Sequence, residues 1–434
     1  MPAARVARLG VTTREASASR FTRQDTMKPI HRYLSLLTLS LLTVGGHAAD
    51  LTADRAVELA QKNNPELRAA ASLVRFAEAR ARTTGRLANP EVEAEFAGGQ
   101  DSEGRISVAL AQRFPVTSRL SRERKLSRLE VELAKAELRE QTAEIAAAAR
   151  EAFYKLAAAR ESLALAKKNA RAAAAFSTAL QSRVAEGAAS ALESAQSELE
   201  TESLIAREAA LGADEAIERA GLANLLGQPA DAPLVLRDAL TLPSRLPANR
   251  APENHPSVRR AALAAEAGAA DVDLARALTW DDLGVALFAE GERFRDEPEG
   301  IEPEALLGVR LNIPFPLWQN GAGKIAEKTA TSEASTARLA GVQLAARNAV
   351  TASYQAMKAR YRSADQLATR VLPLATKHIA DTEAAYSHGE TGAEAVFRAR
   401  QRLAEIETAA LDARQHYFLA YAAWLRAIGA TSLP

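Results

Sequence analysis

Apolar and polar residues alternate along four short stretches of this chain, which fall into two pairs. In the last stretch Leu307, Val309 and Leu311 alternate with Gly308 and Arg310. A repeat of two residues is the pattern of a β-strand with one apolar and one polar face. The pattern therefore predicts two β-hairpins, the first with a polar turn at 98–104 and the second with an acidic loop at 291–305. The apolar positions of the other three stretches are Val92, Ala94 and Phe96; Ile106, Val108 and Leu110; and Leu283, Val285 and Leu287.

Between the hairpins the chain has the composition of a very long helix. No proline or glycine occurs from Arg119 to Glu186. A continuous helix over this range would be roughly 100 Å long, well beyond an ordinary globular helix. Gly187 ends this long helix. A return helix is predicted over Ser190–Leu226, and Gly227 ends it.

The second half of the chain repeats this plan. A long helix is predicted over Ala322–His388, Gly389 breaks it, and a return helix ends at Gly429. The spacing from Gly389 to Gly429 equals the spacing between the corresponding glycines of the first half, which indicates a structural duplication. We therefore predict a first repeat at 50–229, a proline-rich linker at 230–254 and a second repeat at 255–434.

The sequence of the second long helix predicts a kink and a stripe of buried residues. Pro373 lies inside it and should kink it, because the carbonyl of Thr369 loses its hydrogen-bond partner. Apolar residues spaced by four, three and four positions predict a stripe in the core. This stripe consists of Val350, Tyr354, Met357 and Tyr361.

The amino-terminal residues predict export. Met27, Lys28 and Arg32 form a basic start, Leu34–Val44 is a short apolar run, and small residues follow it. This order is typical of a secretory signal peptide, which we assign to residues 27–49. We interpret residues 1–26 as an extension that results from a misassigned start codon.

The composition argues against several classes of function. A formal charge of +1 gives no basis for nucleic-acid binding. Zero cysteines exclude disulfides, thiolate metal sites and cysteine nucleophiles. The sequence contains no hydrolase, zinc-protease, P-loop or dinucleotide-binding motif, so we expect neither an enzyme nor a cofactor. The histidines beyond the signal peptide are too scattered to predict a metal site: His255, His378, His388 and His416.

The predicted hairpins have the character of a membrane β-barrel wall, because one apolar and one polar face suit strands between lipid and water. Four strands cannot close a barrel, and open strand edges are not stable in lipid. Three copies of the chain would supply twelve strands, so we expect a homotrimer in a lipid bilayer. The alternative is a pair of half-exposed hairpins on a soluble protein.

Several segments carry a resemblance to one known family. They are the helix openings NPELRAA and HPSVRRA, the junction IPFPLWQNGAGKIA, and the tip segments RVAEGAASALESAQ and AAYSHGETGAEAVFRARQ. Their order and duplication over about Leu51–Gly429 resemble the TolC-type outer-membrane efflux channels. The resemblance implies a mainly α fold with a small β part: duplicated coiled-coil helical hairpins form a periplasmic α-barrel, and four strands contribute to a trimeric transmembrane β-barrel.

The resemblance also implies a location and partners. Such a channel lies in the lipid of the cell outer membrane with a long periplasmic part, and passes substrate from an inner-membrane pump and a periplasmic adaptor protein. The segment TGRLANPEVEAEF resembles the subgroup paired with cobalt–zinc–cadmium exporters, which favours a pump of the resistance–nodulation–division class over an ATP-driven one. The acidic residues Glu91, Glu93, Glu95 and Asp282 would favour cations. The cargo, whether metal ion, drug or polypeptide, stays open, and a periplasmic adaptor is the alternative function.

The family closes its tunnel at the helix turns, which places a gate near Gly187 and Gly389. By its position after Gly187, Glu193 stands where the first tip of the family carries a carboxylate. Tyr386 stands where the second tip carries a tyrosine.

The second tip departs from the family pattern. Ala395 and Arg398 replace its usual aspartates, and Glu390 and Glu394 are the candidates for the missing acidic charge. The alternative for each of these gate candidates is a solvated residue at a helix end.

Overall fold

The computed structural model describes residues 50–98, 104–237, 240–249, 255–296, 300–318 and 320–431. The signal peptide and the extension predicted at 27–49 and 1–26 lie outside these residues, as does most of the turn predicted at 98–104. None of the helices in the described ranges combines the length and the apolar composition needed to cross a membrane.

Two short helices open the described chain. α1 spans Ala53–Asn63, with Thr52 as its N-cap. α2 spans Pro65–Thr83, and the Asn64 side chain accepts a hydrogen bond of 2.8 Å from the Glu66 N–H. Proline suits the first helical position because its missing N–H would have no partner there. The cap and the proline together fix where α2 begins.

The long helices occupy the ranges that the composition predicts. α3 packs along α4 and α5, while α6 packs along α5 and α8. The mainly helical fold class with a small β part is therefore confirmed. The helices are α3 at Arg119–Ala185, α4 at Ala191–Leu225, α5 at Pro256–Ala277, α6 at Ala322–Gln366, α7 at Leu372–Ser387 and α8 at Ala393–Ala427.

The second long helix is interrupted near Pro373, and the interruption is a π-helical turn. Residues Leu367–Val371 form this turn, in which the Leu372 N–H bonds to the Leu367 carbonyl. A π turn inserts one extra residue ahead of the proline, so the helix can continue past a ring that would otherwise clash with it. The predicted kink thus takes the form of a π turn between α6 and α7.

The two predicted hairpins join into one antiparallel sheet of order β1-β2-β3-β4. β2 of the first half pairs with β3 of the second half, and Leu110 lies opposite Leu287. The duplicated halves therefore meet at the centre of the sheet, and β1 and β4 are its edges. The strands are β1 at Glu91–Gly98, β2 at Gly104–Phe114, β3 at Leu283–Asp296 and β4 at Gly300–Asn312.

The prediction of an acidic loop at 291–305 is wrong over most of its length. β3 continues to Asp296 and β4 begins at Gly300, with Glu292 opposite Glu304. Glutamate has a weak strand preference, but pairing with a neighbouring strand overrides it. The remaining residues, 297–299, lie outside the described part of the chain.

The largest buried cluster lies where α1, α3, α6 and α8 meet. Met357 of the predicted stripe is fully buried, and Tyr354 and Tyr361 pack against the same cluster. The periodicity of α6 therefore identified core positions correctly. The largest side chains that this cluster buries completely or nearly so are Trp424, Tyr417, Phe153 and Leu156.

An arginine lies inside this cluster. Arg150 of α3 has no exposed surface, and its Nη1 donates to the Ala430 carbonyl at 2.9 Å. Burial lowers the pKa of its guanidinium, and the negative charge of Asp54 acts in the opposite direction. The contact ties the end of the chain beyond α8 to the middle of α3.

The segment between the two halves is held against α6. The Tyr354 hydroxyl donates to the Pro247 carbonyl at 3.2 Å, and the Tyr361 hydroxyl donates to the Pro243 carbonyl at 3.0 Å. Leu240 of the same segment is buried in the core cluster. The described part of the proline-rich stretch therefore packs as part of the core.

Candidate functional site

The two helix turns have the same backbone geometry. Gly187 and Gly389 adopt φ of 74° and 76°. The Ala188 N–H bonds to the Arg183 carbonyl at 2.7 Å, and the Glu390 N–H bonds to the Ala385 carbonyl at 2.9 Å. These are Schellman motifs, which need a residue in the left-handed region, and glycine adopts that region without strain.

Glu193 begins the helix that follows the first turn. Its Oε2 accepts a hydrogen bond of 2.9 Å from the Ser190 N–H, and the Ser190 Oγ accepts one of 3.2 Å from the Glu193 N–H. This is a capping box, in which the two residues satisfy each other's backbone donors. The carboxylate that the resemblance assigns to a gate therefore also stabilises the first turn of α4.

Tyr386 of α7, in the second helical hairpin, packs on α3 of the first helical hairpin. The Arg183 guanidinium lies over its ring at 4.9 Å from the centroid, and the Phe176 ring lies 6.1 Å away. The ring also packs against a small buried cluster that includes Ile379 and Val396. Tyr386 thus joins α7 to α3 beside the two turns.

Arg400 is a residue of this region that the sequence did not single out. Its Nη2 lies 2.7 Å from the Glu383 Oε1, and its Nη1 donates to the Ala172 carbonyl at 3.1 Å. Its guanidinium also stacks on Phe176 at 4.5 Å from the ring centroid. The only signal in the sequence is an arginine on the half-buried face of α8, which is too common to identify a contact.

The two candidate acidic residues of the second tip are exposed. Glu394 forms an ion pair with Arg398 on the same helix. The described contacts of Glu390 are those of its backbone in the turn. Within the described residues, no hydrogen bond or ion pair joins Glu193 to Tyr386, Glu390 or Glu394. A single chain therefore does not assemble these four residues into one cluster.

A second candidate region, apart from the helix turns, is the charged face of the sheet. Directly opposed residues share a face, so Glu95, Ser107 and Glu290 form one row across the sheet. Arg105 lies 2.9 Å from Glu290 within this face. The described ionisable residues of the face are Glu91, Glu93, Glu95, Arg105, Arg113, Glu290, Glu292, Glu304 and Arg310.

A cavity of about 620 Å³ opens on this polar face, at the end of the sheet that connects to the helices. We call this the helical end. Arg119 lines the cavity, and its Nη2 lies 2.6 Å from Asp282 and its Nη1 2.9 Å from Glu123. Arg113 lies 3.5 Å from Glu91. Arg310, which also lines the cavity, lies over the Phe288 ring at 5.2 Å from the centroid. Neither Arg310 nor Glu93 has an ion-pair partner among the described residues.

The other face of the sheet is apolar and exposed. Val92, Phe96 and Leu307 are 72%, 73% and 84% exposed. A soluble protein rarely exposes so continuous an apolar face, so this surface requires a partner or a lipid. The other exposed apolar residues of this face are Ile106, Val108, Leu110, Phe114, Leu287, Val309 and Leu311.

The fold matches solved outer-membrane channels. The structure of CusC, described in terms of transmembrane channel formation, has a TM-score of 0.73 at 17% identity, over 88% of this chain and 93% of that one. The outer membrane protein VceC of Vibrio cholerae has a TM-score of 0.69 at 18% identity, over 87% and 96%. The open-state MtrE outer membrane channel of Neisseria gonorrhoeae has a TM-score of 0.70 at 17% identity, over 87% and 89%.

A family match agrees with this fold. Residues 248–430 match the family model described as outer membrane efflux protein. This match covers the end of the predicted linker and most of the second predicted repeat, whereas the structural similarity extends over both halves. No curated protein matches the chain in sequence. The family in this description is the one that the tip and junction segments resemble.

Proposed function

We propose that this chain is the outer-membrane exit duct of a tripartite efflux system. In this proposal three copies pool their sheets into a twelve-stranded barrel above a helical tunnel in the periplasm. The observation that carries the proposal is the four-stranded sheet, with one exposed apolar face and one charged face. This is the arrangement that a strand needs between lipid and water.

The edges of the sheet support an oligomer. Among the described strands, β1 pairs only with β2 and β4 pairs only with β3. In lipid the unpaired N–H and C=O groups along such edges would each cost several kcal/mol. Pairing β4 of one copy with β1 of the next removes every open edge, and three copies give a barrel of ordinary strand number.

The helices support the same assembly. α6 has 45 residues, of which three are buried: Val350, Met357 and Ala364. From Ala322 to Ala349 the helix has no buried residue. Tertiary packing supplies most of the stability of a helix in a protein, so this length of α6 requires further partners. Helices from neighbouring copies would supply them and form the wall of a tunnel.

The proposed cargo is cationic, with heavy-metal ions as the first candidate. Glu93 lies on the polar face without a described ion pair, and Glu95 lies beside it on the same edge strand. A wall with surplus carboxylates attracts cations without holding them tightly. Together with the resemblance of TGRLANPEVEAEF, this favours a pump of the resistance–nodulation–division class and its adaptor as partners.

The gate is proposed at the helix turns. Tyr386 and Arg400 hold the two hairpins of one chain together, and Glu193 fixes the start of α4. In a trimer, Glu390 and Glu394 of three copies would converge around the tunnel axis. The adaptor alternative is less favoured, because an adaptor has no use for an exposed apolar sheet with two open edges.

The test is the assembly and conductance of the full-length protein. Detergent-extracted protein should appear as three copies in native mass spectrometry and should form channels in planar bilayers. A salt gradient across the bilayer should give a reversal potential of cation selectivity, which Glu93→Gln with Glu95→Gln should reduce. A stable monomer without conductance would contradict the exit duct, and a channel without cation preference would contradict the cargo only.

A further inference from the structure

A second cavity lies at the helical end of the sheet, on the apolar side. Its volume is about 290 Å³, and its apolar wall consists of Val116, Trp280, Leu283, Ile313 and Pro314. Leu283 lies opposite Phe114 in the β2–β3 register, and Phe114 belongs to the exposed apolar face. The cavity therefore adjoins that face, and it shares Trp280, Asp281 and Pro314 with the lining of the charged cavity.

Two polar residues, Thr117 and Asp281, line this cavity beside the apolar wall. The Thr117 hydroxyl already donates to the Ala277 carbonyl at 2.7 Å, and the Asp281 carboxylate is exposed. A site with a mainly apolar wall and two polar residues matches an amphipathic ligand that inserts its hydrocarbon part. Water is a poor occupant, because the walls offer it few hydrogen-bond partners.

Exposed aromatic residues flank the cavity. Phe315 and Trp318 are 66% and 92% exposed, and the Phe315 ring contacts the Trp280 ring at 6.4 Å between centroids. Tryptophan and other aromatic rings collect where a bilayer meets water, because one part of the ring is apolar and the other can bond to water. This end of the apolar face thus has the composition of a membrane boundary.

We propose that this cavity binds an acyl chain of a phospholipid from the leaflet at the helical end of the sheet. The inference rests on the proposed function, because it takes the exposed apolar face as the lipid-facing surface. The bound chain would extend the contact between sheet and bilayer beyond the flat strand surface to the junction with the helices. Each copy of the chain would then hold one phospholipid more tightly than the surrounding lipid.

The cavity can be tested by filling it. Val116 is 54% exposed and lies between β2 and α3, so Val116→Phe places an aromatic ring in the cavity without altering a strand. Leu317→Phe is the matched control, because Leu317 is 74% exposed at the same junction and does not line the cavity. In native mass spectrometry of the full-length protein, one phospholipid per chain should survive activation in the wild type and in Leu317→Phe. It should be lost in Val116→Phe.

Tryptophan fluorescence separates this inference from the proposed function. The chain has 3 tryptophans, and Trp424 is fully buried, so it serves as an internal reference. In nanodiscs with brominated phosphatidylcholine, Trp318 should be quenched if the apolar face contacts lipid. With Trp318→Phe as background, Trp280 should be quenched, and Val116→Phe should reduce that quenching several-fold. If Trp318 is quenched but Val116→Phe and Leu317→Phe retain the phospholipid equally, the acyl-chain site alone is overturned. No quenching of either tryptophan would overturn the membrane-facing sheet itself.

Discussion

The guanidinium of Arg400 lies over the ring of Phe176, with 4.5 Å between the guanidinium carbon and the ring centroid. Arg400 belongs to α8 and Phe176 to α3, so the contact joins the two helical hairpins. The same guanidinium bonds to Glu383 of α7 and to the Ala172 carbonyl of α3. One side chain therefore holds three helices together near the proposed gate.

Replacing Arg400 should loosen the contacts that hold α3, α7 and α8 together at the proposed gate. Arg400→Ala removes an ion pair, a bond to a carbonyl and a cation–π contact, so we expect a several-fold higher single-channel conductance in planar bilayers. Arg402→Ala is the control, because Arg402 is exposed and pairs with Glu405 of its own helix. Equal conductance in the two variants would show that Arg400 does not restrict the tunnel.

Tyr386 should act through its ring and not through its hydroxyl. Its described contacts are the Arg183 guanidinium, the Phe176 ring and the apolar cluster around Val396. Tyr386→Phe keeps a ring in place and should leave the conductance close to that of the wild type. Tyr386→Ala removes the ring and should raise it. An increase in Tyr386→Phe of the same size would assign the effect to the hydroxyl.

Glu193 should matter for the start of α4. Glu193→Ala removes the acceptor for the Ser190 N–H, and an acidic side chain in the first turn stabilises a helix by about 0.3–1 kcal/mol. Glu193→Gln keeps a side-chain oxygen and should preserve the cap. We therefore expect faster amide hydrogen exchange at 190–194 in the alanine variant only. A higher conductance in Glu193→Gln with normal exchange would assign a separate role to the charge.

Periodicity predicted the regular elements because each one follows a local rule. The absence of proline and glycine set the length of α3, and Gly187 and Gly389 marked turns that need a left-handed residue. The alternation along β4 gave the two faces of the sheet. Pro373 predicted an interruption, but its form as a π turn depends on how the helix repacks.

The contacts between elements could not be predicted in the same way. Arg400 reaches Phe176 and Ala172 only because α3 and α8 lie side by side, and no pattern within α8 specifies that neighbour. Strand pairing likewise converted the acidic stretch ending in Glu304 from a predicted loop into β3 and β4. The gate candidates came from a resemblance, and a single chain leaves their assembly to other copies.

Two adjacent leucines of β4 test the faces of the sheet. Leu307 lies opposite Ala289 on the apolar face, and Leu306 lies opposite Glu290 on the polar face. An arginine on a lipid-facing strand position costs about 2–4 kcal/mol at mid-bilayer and less near its surface. Leu307→Arg should therefore reduce insertion into lipid vesicles, whereas Leu306→Arg should insert normally. The fraction of protein that resists urea extraction from the vesicles measures the insertion of each variant. An equal decrease of this fraction in both variants would contradict the assignment of Leu307 to the lipid-facing side and Leu306 to the polar side.

The tyrosines of the core should make the protein sensitive to alkali. Tyr154 and Tyr417 are buried, and Tyr421 is half-buried beside them. Burial raises the pKa of all three phenols. Neighbouring tyrosines raise the pKa of Tyr154 and Tyr417 further, and Asp54 does the same for Tyr154 and Tyr421, while Arg150 lowers the pKa of these last two. An unfolded tyrosine has a pKa of about 10, so the folded state binds these protons more tightly than the unfolded state does.

The sign of the effect follows from this difference. The three phenols contribute their full stability below a pH of about 10 and lose it as the pH rises further, because the unfolded chain then releases protons that the folded chain retains. Phenolate absorbance of these residues should therefore appear together with unfolding and not before it. Tyr154→Phe removes one of the three groups, so its free energy of unfolding should fall less steeply with alkaline pH than that of the wild type. An identical slope in the two proteins would show that Tyr154 does not couple to folding.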